Sequence, residues 1–202
     1  VGFVTQKFGF PLLSISVRGS CPRSARIVFW AVGGETFLIK ATAFMKFSVF
    51  VAPSAVRCDL SAATKDEVIA ELVQALVDSG EILAKDKDDI VKAIMRREEL
   101  GSTGIGRGVA VPHTKHPSVK KLVGTVGVSP TGLDFESLDG QKARLFFLLV
   151  SPPDRPGDHL RALENISRQL RDEQFCKILS QSTSAEDILQ LLEEADSQQS
   201  GN

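Results

Sequence analysis

The chain has 202 residues, with 24 Lys and Arg against 25 Asp and Glu and a formal net charge of −1. That length can bury the core of one ordinary domain, and the balanced charge excludes a sustained nucleic-acid footprint. Three scattered cysteines, Cys21, Cys58 and Cys176, show neither CxxC nor metal-ligand spacing, which suits reduced thiols of the cytoplasm better than a disulfide framework.

Residues 1–44 differ from the rest. They hold five basic residues and one acidic, a net +4 that leaves −5 for residues 45–202, and eight of the 12 phenylalanines fall within the first 50 positions. No helical or alternating period holds for long there. This stretch is expected to be an atypical N-terminal extension. It is either upstream sequence before a true start at Met45, or a basic, disordered appendage able to touch an anionic membrane surface. The most apolar region, residues 27–52, is broken by Glu35, Lys40 and Lys46, so no stable membrane insertion is expected.

From Thr64 the pattern is regular. Thr64 with Glu67 is a capping-box pair, and Val68, Ile69, Leu72, Val73, Leu76 and Val77 recur at helical spacing until Ser79-Gly80. Asp86 is placed to cap a second helix, with Ile90, Val91, Ile94 and Met95 inward and Arg97 near its end. Residues 122–128 alternate with glycines and predict a strand. Residues 145–150 are continuously apolar, which predicts a central strand buried on both faces. A third helix is expected from about Asp158, with Leu160, Leu163, Ile166 and Leu170 as its inner stripe. A short helical pattern follows around Phe175, Ile178 and Leu179. Ser184 with Asp187 predicts the cap of a last helix carrying Ile188, Leu189, Leu191 and Leu192. Residues 196–202 are polar and expected to be a flexible tail. Helices alternating with buried strands predict an α/β fold, a single domain over 45–195 with a mixed central β-sheet flanked by helices.

The chemistry concentrates between Gly101 and His113. Glycines at 104, 106 and 108 allow backbone N–H groups close to a ligand, and Pro112 keeps Val111 extended, aiming His113 from a strand end. N–H donors beside a nucleophilic imidazole point to transient phosphate on histidine. On spacing alone, His113 could equally be a loop histidine without a role, and His159 a surface histidine beside Asp158. Arg97 suits phosphate neutralisation, although an arginine at a helix C-terminus is also ordinary dipole complement. Ser102 and Thr103 offer hydroxyls to the same pocket or cap its turn, and Glu98 suits a structural ion pair. A three-histidine metal site of His113, His116 and His159 is disfavoured, because no Asp, Glu or Cys is spaced with them. The glycine loop lacks the Gly-Lys-Ser/Thr ending of a nucleotide-binding P-loop.

Arg97-Glu98-Glu99-Leu100-Gly101-Ser102-Thr103-Gly104-Ile105-Gly106, continuing to Val111-Pro112-His113, resembles the enzyme IIA domain of the bacterial phosphotransferase system, in its fructose/mannitol and nitrogen-regulatory class (type 2). Asp158-His159-Leu160-Arg161-Ala162-Leu163 stands where that family carries a second active-site histidine. The resemblance covers roughly residues 45–195. It implies His113 as phosphoryl acceptor, His159 and Arg97 as stabilisers of the transferring phosphate, and Ser102, Thr103, Gly104, Gly106 and Gly108 as a phosphate loop. It implies an HPr-like phosphocarrier as donor, and a IIB domain or regulatory target proteins as partners. No metal, nucleotide or other cofactor is implied, because the donor is already a phosphohistidine. With no transporter or IIB segment in the sequence, the expectation leans to a regulatory, nitrogen-type role over a subunit for sugar uptake.

Overall fold

The computed structural model describes residues 27–32, 35–40 and 45–200, with side chains over 45–198. Contacts divide the chain into two units, Val1–Ala43 and Phe44–Ser200. In the first, β1 (Ile27–Val32) and β2 (Glu35–Lys40) pair antiparallel, Ile27 opposite Lys40 and Val32 opposite Glu35. This corrects the expectation of a stretch without regular structure at those positions. β-branched and aromatic residues in Ile-Val-Phe-Trp-Ala-Val and Glu-Thr-Phe-Leu-Ile-Lys favour extended backbone, and Gly33-Gly34 stands between them in the sequence. The rest of residues 1–44 lies outside the described residues.

The second unit is a mixed sheet between two layers of helices. Its axis is β7 (Ala143–Ser151). Along one edge, β4 (Val109–Ala110) and β5 (His113–Lys115) run parallel to β7, Val109 opposite Leu145 and His113 opposite Leu149. The offset is the same for both, so they form one extended segment interrupted at Val111-Pro112. β3 (Gly104–Gly106) folds back antiparallel on β4, and β6 (Val123–Leu133) pairs antiparallel with the other edge of β7. The two-sided apolar run fits this position. Phe146, Leu148 and Val150 face one core cluster, with α2 (Lys65–Asp78) and α3 (Lys87–Glu99). Leu145, Phe147 and Leu149 face the other, with α1 (Phe47–Phe50), α4 (Pro156–Gln169), α5 (Glu173–Ser180) and α6 (Ala185–Ser200).

Glycine in β6 marks close approach. A Cβ on Gly127 would sit 2.7 Å from side-chain atoms of Leu60 and Leu72, and one on Gly124 would sit 2.8 Å from the Leu148 carbonyl oxygen. The outer edge of β6 is covered by the segment before α2, through Ala52 N–H to Gly124 O, Arg57 N–H to Val126 O and Leu60 N–H to Val128 O. Among the described residues no helix is long and apolar enough to cross a membrane.

The helix signals hold with local corrections. The Thr64–Glu67 capping box is present in both directions, and Ser184 Oγ accepts from Asp187 N–H at 3.1 Å. Asp86 occupies the N-cap position of α3, but its backbone is already helical and its side chain makes no cap bond. α4 begins at Pro156, where a missing N–H costs nothing, two residues earlier than expected. Its inner face runs through His159, Ala162 and Ile166, while Leu160 stays 64% exposed.

The polar end of the chain is corrected most. α6 runs to Ser200, and Asp196 is buried against the start of α1. Its carboxylate accepts from Phe47 N–H at 2.7 Å and Ser48 N–H at 3.0 Å. It supplies from 149 residues away the N-cap that Lys46 does not. A charge that meets orphan N–H donors is stabilising where a solvated one would leave the helix to fray. Asp196→Ala is therefore expected to lower unfolding stability by about 1–3 kcal/mol, read from urea denaturation, because one buried and one part-buried donor lose a charged acceptor.

Candidate active site

His113 and His159 come together at the C-terminal end of β7. β5 delivers His113 opposite Leu149, and α4 starts five residues after Ser151 ends β7, carrying His159 back over that strand end. The two rings lie 5.4 Å apart between centroids, tilted by 57°. Ligand sites in open α/β sheets gather at such strand ends. His113 is the first residue of β5 and follows the break at Pro112, so the chain continues extended through Lys115 where a strand end was expected.

Each ring is held by one partner. His113 Nδ1 lies 2.8 Å from the Val111 carbonyl oxygen. A carbonyl can only accept, so Nδ1 carries the proton and Nε2 of the neutral ring carries the lone pair. His159 Nδ1 is 2.7 Å from Ser151 Oγ, and both residues are buried. His159 is the fourth residue of α4, and its own N–H already reaches Arg155 O at 3.5 Å, so it does not stand among the unpaired donors of the first turn.

Burial sets the charge state. It pulls His113 below the usual 6.5, an effect the Arg97 charge reinforces and the Val111 hydrogen bond and Glu98 carboxylate oppose. Burial pulls His159 down to about 4, helped by repulsion from His113 and Lys115. Arg97, half-buried at the end of α3, donates to Gly101 O at 3.0 Å. That bond uses one of its five N–H donors.

The expected phosphate loop separates into supports and a distant turn. Ser102 Oγ donates to Phe135 O and accepts from Gly104 N–H. Thr103 is buried and gives both its N–H and its hydroxyl to the Glu98 carboxylate. These hydroxyls brace the loop. Gly106 and Gly108 flank Arg107 in a turn where all three residues have positive φ, tied down by Arg107 N–H to Asp139 at 2.7 Å. Gly108 O accepts from Leu145 N–H, four residues before Leu149, the partner of His113. Four strand residues span about 13 Å. Gly106 and Gly108 therefore serve the hairpin at the far end of the sheet and are corrected as phosphate ligands at His113. Gly104 is small because Ser137 lies where its Cβ would be, 2.6 Å from Oγ.

The chain matches the family described as phosphoenolpyruvate-dependent sugar phosphotransferase system, EIIA 2, over residues 49–195. It belongs to that EIIA family. A nitrogen regulatory protein of Bradyrhizobium diazoefficiens is 36% identical over 148 residues, spanning 73% of this chain and 95% of that protein. The crystal structure of the nitrogen regulatory protein IIA-Ntr from Neisseria meningitidis superposes with a TM-score of 0.66 at 27% identity, covering 72% of this chain and 98% of that one. Enzyme IIA-mannitol of Escherichia coli, solved in complex with phosphorylated enzyme IIB-mannitol, gives 0.60 at 26% identity over 70% of this chain and 95% of that one. EIIA domains are the phosphotransfer components of this system, and the mixed sheet flanked by helices is their fold.

In this EIIA domain His116 is held by Ser118. Its Nδ1 accepts from Ser118 N–H at 3.3 Å and lies 2.7 Å from Ser118 Oγ. Among the described residues no three His, Cys, Asp or Glu side chains converge as a metal-holding group. Two residues at the centre escaped the sequence reading. Ser151 had no signal beyond ending an apolar run, and the Val111 carbonyl is main chain.

A histidine with a depressed native pKa binds its proton more readily when unfolded. For His159 the unfolded value near 6.5 lies above the native value of about 4, so stability falls as pH drops through that window. Chemical denaturation between pH 7 and 3 should show a His159-dependent loss that reaches on the order of 3 kcal/mol once the pH is below 4. His159→Gln should remove that part of the slope.

Proposed function

We propose that this EIIA domain accepts a phosphoryl group on His113 from the phosphohistidine of an HPr-like carrier and serves chiefly as a regulatory phosphocarrier of the nitrogen type. The observation that carries the acceptor assignment is the His113 Nδ1–Val111 hydrogen bond, which leaves Nε2 as the lone-pair nitrogen beside His159. Nε2 attacks phosphorus as the donor N–P bond breaks, and the bonding pair returns to the donor imidazole. The new positive charge on the His113 ring is shared with Nδ1–H, which stays on the Val111 carbonyl. No metal or nucleotide enters this step.

The transition state is metaphosphate-like and loads charge onto three equatorial oxygens. His159, kept neutral by burial, donates from Nε2 when Ser151 gives its hydroxyl proton to Nδ1. Arg97, whose charge acts on His113, adds a permanent positive charge. The regulatory reading draws on the nitrogen regulatory relative, matched over nearly its whole length. The mannitol IIA–IIB complex supports a second reading, a sugar-specific IIA subunit passing its phosphate to a IIB domain. Residues 1–44 take no part in either, and a chain starting at Met45 is proposed to retain the chemistry. The near-balanced charge of the sequence and its scattered thiols fit a cytoplasmic setting.

Incubation with labelled phospho-HPr should give an acid-labile, base-stable phosphoramidate, of the Nε2 isomer. His113→Ala should abolish it, and labelling that persists in that variant would assign the acceptor elsewhere. His159→Ala should stay folded yet lose about 2–4 kcal/mol of transition-state stabilisation, seen as slower transfer in rapid-quench kinetics. Arg97→Lys should also slow transfer, because the charge remains while the planar fork is gone. Pull-down of target proteins with and without phosphate separates regulation from delivery to a IIB domain.

A further inference from the structure

Glu98 is buried, 5% exposed, in the last turn of α3. Packing alone would favour an apolar residue there, since a buried carboxylate must recover its lost hydration from partners. Its partners run in one direction. Lys65 Nζ, at the start of α2, lies 3.6 Å from Glu98 and 2.6 Å from Glu136, above the Phe135 ring. Thr103 N–H donates to Glu98 Oε2 at 3.0 Å, and the Thr103 hydroxyl donates to Oε1. The Thr103 carbonyl then accepts from Val111 N–H at 3.0 Å. The Val111 carbonyl is the group that holds His113 Nδ1.

The Val111–Pro112 segment is thus pinned from two sides. Leu149 N–H reaches Pro112 O at 3.0 Å from the sheet, and Thr103 holds Val111 from the loop. Pro112 has no N–H, so the sheet grips this break in β4–β5 less than a regular strand. The Thr103 side supplies the missing restraint, and Glu98 is what holds Thr103. We propose that Glu98 is a positioning residue for phosphoryl transfer: by clamping Thr103 it fixes the Val111 carbonyl, and so holds the His113 ring with Nε2 facing the incoming phosphoryl group. The Lys65 ion pair holds the clamp in place. This inference rests on His113 being the acceptor.

Two substitutions separate reach from charge in the full-length protein. Glu98→Gln loses the charge but can accept from Thr103 N–H and donate to its hydroxyl. Glu98→Asp keeps the charge but falls one methylene short. The first readout is the His113 tautomer by 15N NMR without phosphate, and the second is the initial rate of transfer from 32P-labelled HPr. Glu98→Asp should give a mixed tautomer and transfer slowed about tenfold or more, since misplacement of a reacting group by an ångström can cost two decades. Glu98→Gln should keep the Nδ1–H tautomer and a near-native rate. Unchanged tautomer and rate in Glu98→Asp, or equal losses in both variants, overturn the proposal. Where Glu98→Asp melts below the assay temperature, the tautomer in Thr103→Val replaces it, and an unchanged ring there overturns the proposal. The tautomer is read without phosphate, so it stands apart from the labelling of His113→Ala that tests the acceptor itself.

Discussion

Everything at the candidate site depends on the parallel pairing of β5 with the end of β7. That pairing sets His113 opposite Leu149 and leaves α4 to start just beyond Ser151. Two histidines 46 positions apart in the chain meet because one strand precedes the axis of the sheet and one helix follows it. β7 can act as that axis because its side chains are buried alternately on both faces. Truncating one such leucine to alanine costs about 2–5 kcal/mol in a well-packed core, so the site's geometry is coupled to the strongest part of the fold.

The same burial does chemical work. It disfavours the charged imidazolium at His113 and more so at His159, where the native value falls to about 4. Both rings are then neutral near pH 7, which is what a nucleophile and a hydrogen-bond donor to phosphate require. Arg97 keeps its charge and pushes His113 in the same direction. The electrostatics are asymmetric: permanent charge comes from arginine, while the imidazoles contribute lone pair and N–H without competing for protons.

The helices and the central strand were legible because their signals are local. Thr64 and Glu67 reach each other within one turn, and the run 145–150 has no polar residue to face solvent. The phosphate-loop reading failed in part for a related reason. Gly104, Gly106 and Gly108 are close in sequence to His113, but the hairpin carries the last two towards the opposite end of β7, where Asp139 ties the turn. Sequence proximity does not report direction along a strand. Leu160 was misplaced because His159, Ala162, Ile166 and Leu170 set the inward face of α4, and Leu160 lies about 100° around the helix from His159.

By itself the amino-acid sequence determined the α/β class, the helices α2 to α6, the strands β6 and β7, and the three side chains, His113, His159 and Arg97, on which the proposed chemistry rests. Periodicity, capping pairs and a long motif are short-range properties of a chain. Tertiary structure alone decided the rest. It placed Asp196 at the start of α1, Glu98 beneath Thr103 and Ser151 against His159. Each of these is a polar group whose role is set by the donor or acceptor it meets. The Asp196 contact reaches across 149 residues and is chosen when the layers close on β7; Glu98–Thr103 and Ser151–His159 stand only five and eight residues apart, but the turns between them and the sheet decide that they meet.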